Sequence, residues 1–252
     1  MWPDFFPSLP TLALALPAVI VAYTIFGIAG FGAALISAPV LAHALPVATI
    51  VPLLALLDCA AATINGFRLS DKVAKEELLF LVPLMVVGSV AGIYLLLIIP
   101  PLPMMLALGI FVIAYAVYGM VAPPPTSRIA HGWVALFGAL GGIFSGMFGS
   151  GGAIYAMYLG RRLTDPDAFR ATQTTLIGLA TLTRGAVFAI AGVYSDWHML
   201  ALAALLAPAM LAGTWIGYHM TLRLSREMFF RILYCLLIGT GASLVVRALT
   251  AW

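Results

Sequence analysis

Charged residues are scarce in this sequence. Asp, Glu, Lys and Arg make up 8% of its 252 residues, whereas hydrophobic residues make up 63%. A soluble domain carries about 25% charged residues, so this composition excludes a soluble enzyme or binding domain. Apolar runs of about 20 residues recur along the chain, and each is long enough to cross the hydrocarbon core of a bilayer. The composition therefore predicts an all-α integral membrane protein with many crossings.

Several other features that would indicate a function are missing. The two cysteines, Cys59 and Cys235, lie in apolar runs, and no Cys-x-x-Cys pair or His/Cys cluster suggests a disulfide or a metal site. No Gly-x4-Gly-Lys-Ser/Thr motif is present, so ATP is not expected to drive the protein directly. We expect no cofactor and no enzymatic activity. The first ten residues contain no Lys or Arg, which argues against a signal peptide.

Ten apolar segments are predicted, each within a few residues. They span roughly 9–29, 32–45, 46–66, 77–99, 102–121, 130–148, 151–160, 168–192, 197–221 and 228–250. The second and seventh are short, since fourteen residues form only about 21 Å of helix. This is less than a full crossing of the bilayer.

The placement of basic residues decides whether the short segments cross. If all ten segments cross, one side of the membrane carries almost every basic residue in the loops or at the segment ends beside them: Arg68, Lys72, Lys75, Arg128, Arg161, Arg162, Arg170, Arg223, Arg226 and Arg231. The opposite side then carries only Arg247. If the short segments do not cross, the basic residues are divided between both sides. The positive-inside rule therefore predicts ten crossings of the cytoplasmic (inner) membrane, with both termini outside the cytoplasm. Because the basic loops follow this topology, nucleic acid is not an expected partner.

Two glycine patterns recur in the two halves of the chain. One is Gly27, Gly30 and Gly32, repeated 119 residues later as Gly146, Gly149 and Gly151. The other is Pro83, Gly88 and Gly92, repeated 125 residues later as Pro208, Gly213 and Gly217. Since five crossings is an odd number, a repeat of five must be inverted. Residues 1–124 and 125–252 are thus predicted to form two inverted repeats of one membrane domain, as in many secondary transporters. The Gly-x3-Gly pairs are expected to let helices pack closely.

The glycine triplets predict two broken helices. Glycine weakens a helix, and each short segment begins directly after one triplet. The N-terminus of a half-helix offers free N–H groups and a positive dipole end, which suit an anion. The predicted anion site consists of Gly30, Phe31, Gly32, Gly149, Ser150, Gly151 and Gly152, with the Ser150 hydroxyl as an added donor and Phe31 as an apolar wall. The alternative is that the glycines only permit tight helix crossing.

Arg184 and Asp58 lie inside apolar segments. A charge at the centre of a bilayer costs about 2.5–3.5 kcal/mol on insertion scales, and such residues usually mark a function. The forked donors of Arg184 suit an oxyanion; the alternative is a structural ion pair. Under the repeat, Asp58 corresponds to Thr181, one turn before Arg184. Asp58 could pair with Arg184, couple transport to protons by titrating, or be a hydrogen-bonded structural acid.

Polar residues at the start of the eighth segment have no counterpart in the first half. Gln173 and Thr174 correspond to Ile50 and Val51. Polar donors on one side would give the predicted site the asymmetry that an asymmetric substrate needs. The alternative is that these residues serve helix capping and helix–helix hydrogen bonding.

Two stretches, GIAGFGAALISAP at residues 27–39 and GIFSGMFGSGG at 142–152, are each followed by an Ala-Thr pair. They resemble the TauE/SafE sulfite exporter family, also called the 4-toluene sulfonate uptake permease family, and the resemblance covers nearly the whole chain. It departs from the family pattern at Ala33, where a third clustered glycine is usual. The resemblance implies a secondary transporter of sulfur-containing anions such as 4-toluenesulfonate, sulfite or sulfoacetate.

Two alternatives to a carrier stay open at this point. A passive anion channel could have the same broken helices. An intramembrane serine protease is disfavoured, because the Gly142–Gly146 motif is one residue too long and no histidine lies mid-helix downstream. Ring-lined walls for an aromatic sulfonate could come from Phe31, Phe144, Phe148 and Tyr155. The sequence leaves the direction of transport, the coupling ion, protons included, and the oligomeric state open.

Overall fold

The computed structural model describes residues 9–29, 32–64, 71–121, 129–219 and 226–251, and these residues form helices and no strand. The helices are α1 (Leu9–Ala29), α2 (Ala33–Leu41), α3 (Val47–Ile64), α4 (Lys75–Ile98), α5 (Pro101–Val121), α6 (Val134–Phe148), α7 (Gly151–Arg162), α8 (Pro166–Ile190), α9 (Trp197–His219) and α10 (Arg226–Thr250). Short 3₁₀ turns precede α6 and α9.

Six of these helices are long and apolar enough to cross a membrane: α1, α4, α5, α6 with the turn before it, α9 and α10. Large apolar side chains cover their outer surfaces; Leu79 and Val87 of α4, for example, are 71% and 70% exposed. Such a surface suits contact with lipid, where a helix satisfies its own backbone hydrogen bonds. The prediction of an all-α membrane protein is confirmed.

Close backbone packing joins α1 to α9 and α4 to α6. Gly88 and Gly92 of α4 lie directly against the backbone of α6, and Gly213 and Gly217 of α9 lie against the backbone of α1. A Cβ atom at Gly213 would come within 2.5 Å of the Ile20 carbonyl oxygen. The predicted role of the two Gly-x3-Gly pairs in helix packing is confirmed.

Polar contacts fix the C-terminal end of α7 and the N-terminal end of α8. The Asp165 carboxylate accepts the Asp167 N–H (3.1 Å) and caps α8, whose first residue is Pro166. At the end of α7, Glu77 of α4 accepts hydrogen bonds from the Tyr158 hydroxyl (2.7 Å) and from Nε of Arg162 (2.8 Å). These contacts hold the end of α7 against α4.

Helix α8 packs against three other helices near the candidate site. It contacts α3, α4 and α7, while α2 contacts α1, α3 and α6. The middle of α8 is therefore close to α3 and to the junction between α6 and α7.

We expect Gly213→Ala to destabilise the protein by about 1–3 kcal/mol, since the added methyl group overpacks the α1–α9 contact. Gly239→Ala on α10 is the matched control, because nothing lies within 4 Å of a Cβ there. Alanine at that position should leave stability unchanged or raise it slightly through its better helix propensity. Unfolding of the purified variants in detergent measures both effects; equal stability of the two would contradict the packing role.

Candidate functional site

The chain breaks its helical path after α1. Helix α1 ends at Ala29 and α2 begins at Ala33, preceded by Gly32 in the left-handed conformation (φ 96°). This conformation favours glycine, although a Cβ at Gly32 would meet no atom within 4 Å. Gly30 and Phe31, which the sequence places in the site, lie outside the described residues.

A second break separates α6 from α7. Gly149 follows the last residue of α6 with φ 70°, and α7 starts two residues later at Gly151. The Ser150 hydroxyl donates to the Phe148 carbonyl oxygen at 3.1 Å. It is therefore used inside the turn, and this structure does not offer it as the extra donor that the sequence suggested. Gly151 and Gly152 form the start of α7, and the N–H groups in the first turn of a helix have no acceptor within that helix.

The two breaks meet at Gly149. A Cβ atom at this glycine would overlap Nη1 of Arg184 and the Cβ of Ala34. Ala34 belongs to the first turn of α2, and Arg184 lies in the middle of α8. The start of α2, the turn before α7 and the Arg184 guanidinium therefore converge on one point, and only a residue without a side chain fits between them.

Arg184 is buried, with 2% of its side chain exposed. Its Nη2 atom lies 3.0 Å from Oδ2 of Asp58 and 3.4 Å from Oγ1 of Thr181. No acceptor among the described residues bonds Nε or Nη1. Buried donors without partners are costly, about 1–3 kcal/mol each and more when charged. The arginine thus has one face bound to Asp58 and further donors able to bind an anion beside Gly149.

Asp58 is held by two helices at once. Its Oδ1 atom accepts a hydrogen bond of 2.7 Å from the hydroxyl of Tyr23, while Oδ2 faces Arg184. Tyr23 is fully buried in α1. Tyr23 is not among the site residues predicted from the sequence. Its signal is a lone phenol in an apolar segment, since a buried tyrosine usually needs a hydrogen-bond partner.

Gln173 and Thr174 have different positions although they are adjacent. Gln173 is buried and its Nε2 atom donates to the Gly152 carbonyl oxygen at 2.6 Å; its Oε1 atom has no partner within the described ranges. Gln173 therefore contacts the first turn of α7. Thr174 is exposed, so the structure does not bring it to the helix breaks.

Aromatic side chains lie beside the second break. Phe148, the last residue of α6, forms a cluster with Phe144 and with Phe111 of α5, whose ring centroid lies 4.4 Å from that of Phe144 and 5.8 Å from that of Phe148. Tyr155 of α7 is fully buried, and its hydroxyl has no partner among the described residues. Phe144, Phe148 and Tyr155 thus border the region where α6 ends and α7 begins.

A family profile described as "Sulfite exporter TauE/SafE" matches residues 15–244. The chain belongs to the TauE/SafE family. A TauE/SafE relative from Cupriavidus necator, named "Probable sulfite/organosulfonate exporter TauE", is 28% identical over 247 residues, which cover 95% of this chain and 96% of the relative. No solved structure matches. The resemblance that the glycine motifs carry is confirmed, and the chain is a membrane transporter of the TauE/SafE family.

The match includes every part of the candidate site. Both helix breaks, Asp58 and Arg184 lie inside the range shared with the TauE/SafE profile. The relative also matches over nearly its whole length. The site is therefore part of the region common to the family rather than an addition at either end.

We expect Gly149→Ala to destabilise the protein more than Gly32→Ala. Both changes place an alanine in the left-handed region, which costs about 1–2 kcal/mol, but only the Gly149 variant also displaces Arg184 and Ala34. The unfolding temperatures of the two variants in detergent measure the difference. Gly32→Ala reports the backbone strain alone, and Gly149→Ala reports the strain together with the steric overlap. Equal losses would contradict the close approach at Gly149.

Proposed function

We propose that this TauE/SafE protein is a secondary transporter of a sulfur-containing anion, which binds to Arg184 between the two helix breaks and moves by alternating access. The substrates we consider are a sulfonate such as 4-toluenesulfonate, sulfite and sulfoacetate. The observation that carries the proposal is the buried guanidinium beside Gly149, whose Nε and Nη1 atoms lack acceptors among the described residues.

The chemistry of the site suits an anion with several oxygens. A planar guanidinium presents N–H groups in a fork that binds oxyanions in a defined orientation. The first turns of α2 and α7 add backbone N–H groups at the positive ends of their dipoles. We assign anion binding to Arg184, Gly149, Gly151, Gly152 and Gln173. Gly30, Phe31 and Gly32 would contribute from the first break.

We further propose that residues 1–124 and 125–252 are inverted repeats. Helix pairs α1–α9 and α4–α6 support this, since a two-fold axis relating the halves exchanges one pair with the other. The contacts agree in detail. Gly27 packs on the carbonyl of Thr214, and its mate Gly146 packs on the carbonyl of Ser89, which is the mate of Thr214. Inverted repeats with broken helices are typical of secondary transporters.

Ten crossings of the cytoplasmic membrane complete the proposed topology. Helices α2 and α7 would each cover part of the bilayer thickness and continue the path of the broken helices. The basic residues then face the cytoplasm, both termini lie outside it, and Arg247 is on the outer side.

This topology places the repeat mates Asp71 and Asp196 on opposite sides of the membrane. In a background without Cys59 and Cys235, we expect Asp196→Cys to react with an impermeant thiol reagent in intact cells. Asp71→Cys should react only after permeabilisation. If α2 and α7 did not cross, the two positions would lie on the same side, so labelling of both from outside would contradict ten crossings.

A carrier fits the site better than a passive channel. An anion that reaches Arg184 binds beside its ion pair with Asp58, and taking Nη2 as well requires that buried pair to rearrange. An open pore needs no such step. The relative's name as an exporter supports export as the direction, and we assign coupling to Asp58. An intramembrane enzyme lacks support.

Transport by purified protein in liposomes tests the proposal. We expect saturable exchange of labelled 4-toluenesulfonate, sulfite or sulfoacetate, and Arg184→Gln should weaken apparent affinity at least about tenfold, since hydrogen bonds to charged groups contribute about 1.5–3 kcal/mol. Arg170→Gln is the matched control, because Arg170 is an exposed residue at the start of the same helix.

The double variant Asp58→Asn with Arg184→Gln separates binding from folding, since it removes both charges of the buried pair. It should fold and still fail to bind the anion. Exchange that is unchanged in both Arg184 variants would contradict the assignment of the site. Accumulation against a gradient that an uncoupler abolishes would exclude the passive channel.

A further inference from the structure

We propose that Tyr23 determines which oxygen of Asp58 takes up a proton, so that protonation of Asp58 and release of Arg184 to the substrate become one event. This inference rests on the proposed function, because it concerns how the anion gains access to the Arg184 donors. Tyr23 is a positioning residue in it: the tyrosine touches Asp58 and acts on the substrate only through Asp58 and Arg184.

The two carboxylate oxygens of Asp58 accept hydrogen bonds from different partners. Oδ1 accepts from the Tyr23 hydroxyl at 2.7 Å, and Oδ2 accepts from Nη2 of Arg184 at 3.0 Å. The three residues come from α1, α3 and α8, and Tyr23 and Arg184 are almost fully buried. Each oxygen thus has its own partner on a different helix, and water has little access to exchange them.

The charges at the site balance before the anion arrives. Arg184 carries one positive charge and Asp58 one negative charge. A monovalent anion on the remaining donors of Arg184 adds a second negative charge, which is costly in a buried site of low dielectric. One proton on Asp58 restores neutrality. The other titratable groups facing Asp58 are Tyr23 from α1, Arg184 from α8 and Cys59 beside it on α3.

Tyr23 directs that proton to Oδ2. In the described part of the chain, Asp58 is the acceptor to which its buried hydroxyl donates, so the phenol proton stays directed at Oδ1. When the anion takes Nη2 from Asp58, Oδ2 loses its donor while Oδ1 keeps the Tyr23 hydroxyl, so the incoming proton binds Oδ2. A guanidinium can only donate, so a protonated Oδ2 cannot return to Nη2 and the ion pair stays open. The anion then holds Nη2 together with Nε and Nη1.

The cycle balances without a redox step. The anion replaces Asp58 on the guanidinium, the Asp58–Arg184 contact breaks, and a proton from the aqueous side forms the Oδ2–H bond. Release of the anion reverses these changes and returns the proton to water. One proton accompanies each monovalent anion in either direction, so transport of 4-toluenesulfonate moves no net charge. Export then runs down the concentration gradient of the anion itself, whereas an inward proton gradient drives uptake.

Without the phenol hydroxyl, the proton can bind either oxygen. Protonation at Oδ1 would leave Oδ2 able to return to Arg184, so the proton would no longer hold the pair open. We expect Tyr23→Phe to lower proton-driven accumulation of 4-toluenesulfonate relative to its exchange by about tenfold, the factor that corresponds to 1.4 kcal/mol. The pH dependence of uptake should flatten in the same variant.

Three measurements on full-length protein in liposomes test this: exchange of labelled 4-toluenesulfonate at equal pH, its accumulation under an imposed pH gradient, and proton uptake per anion by a trapped pH dye. Tyr23→Phe is compared with Tyr94→Phe, the same change on the exposed face of α4, which should behave as wild type. Asp58→Asn should remove proton movement.

The outcomes separate this inference from the proposed function. Absence of exchange in the wild type overturns both. Exchange without proton movement in the wild type overturns the coupling and leaves the transporter standing. A wild-type ratio of accumulation to exchange in Tyr23→Phe overturns the role of Tyr23. So does a folded Tyr23→Phe protein that has lost exchange and accumulation equally, because a purely structural role gives that result.

Discussion

The ion pair between Asp58 and Arg184 is the contact around which the interior is organised. It joins the middle of α3 to the middle of α8 and is extended by Tyr23 to α1. Removing one partner of such a buried pair typically costs about 3–5 kcal/mol, because the other charge is left uncompensated. The pair is nevertheless incomplete, since it uses one of the three guanidinium nitrogens. This combination of a fixed orientation and unused donors is what makes the neighbourhood of Gly149 suitable for an anion.

The helix breaks and the family could be predicted from the sequence, because both depend on local patterns. Apolar runs locate helices by length alone, and the glycine triplets fall where α1 gives way to α2 and α6 to α7. The paired Gly-x3-Gly motifs likewise predicted the close packing of α4 on α6 and α9 on α1. A charge in an apolar segment also stands out, so Arg184 and Asp58 could be identified from the sequence.

The details of the site could not be predicted, because they depend on how each helix is rotated and what packs against it. Gln173 and Thr174 are neighbours in sequence, yet one contacts α7 and the other is exposed. Ser150 is a possible donor to an anion by its sequence position, but its hydroxyl donates to the carbonyl oxygen of Phe148. Tyr23 is one apolar-segment tyrosine among several, and only the fold shows that its hydroxyl meets Asp58.

The tight glycine contacts also define which parts of the protein can shift as rigid units. Each of the two closest helix pairs takes one helix from residues 1–124 and one from residues 125–252. Each half therefore packs one of its helices tightly against a helix of the other half, twice over. In the alternating access proposed above, α1 would move together with α9, and α4 together with α6, so a moving unit would contain helices of both halves. If the two halves are the inverted repeats proposed above, the repeats supply the symmetry of the transporter, while each tightly packed helix pair crosses the boundary between them.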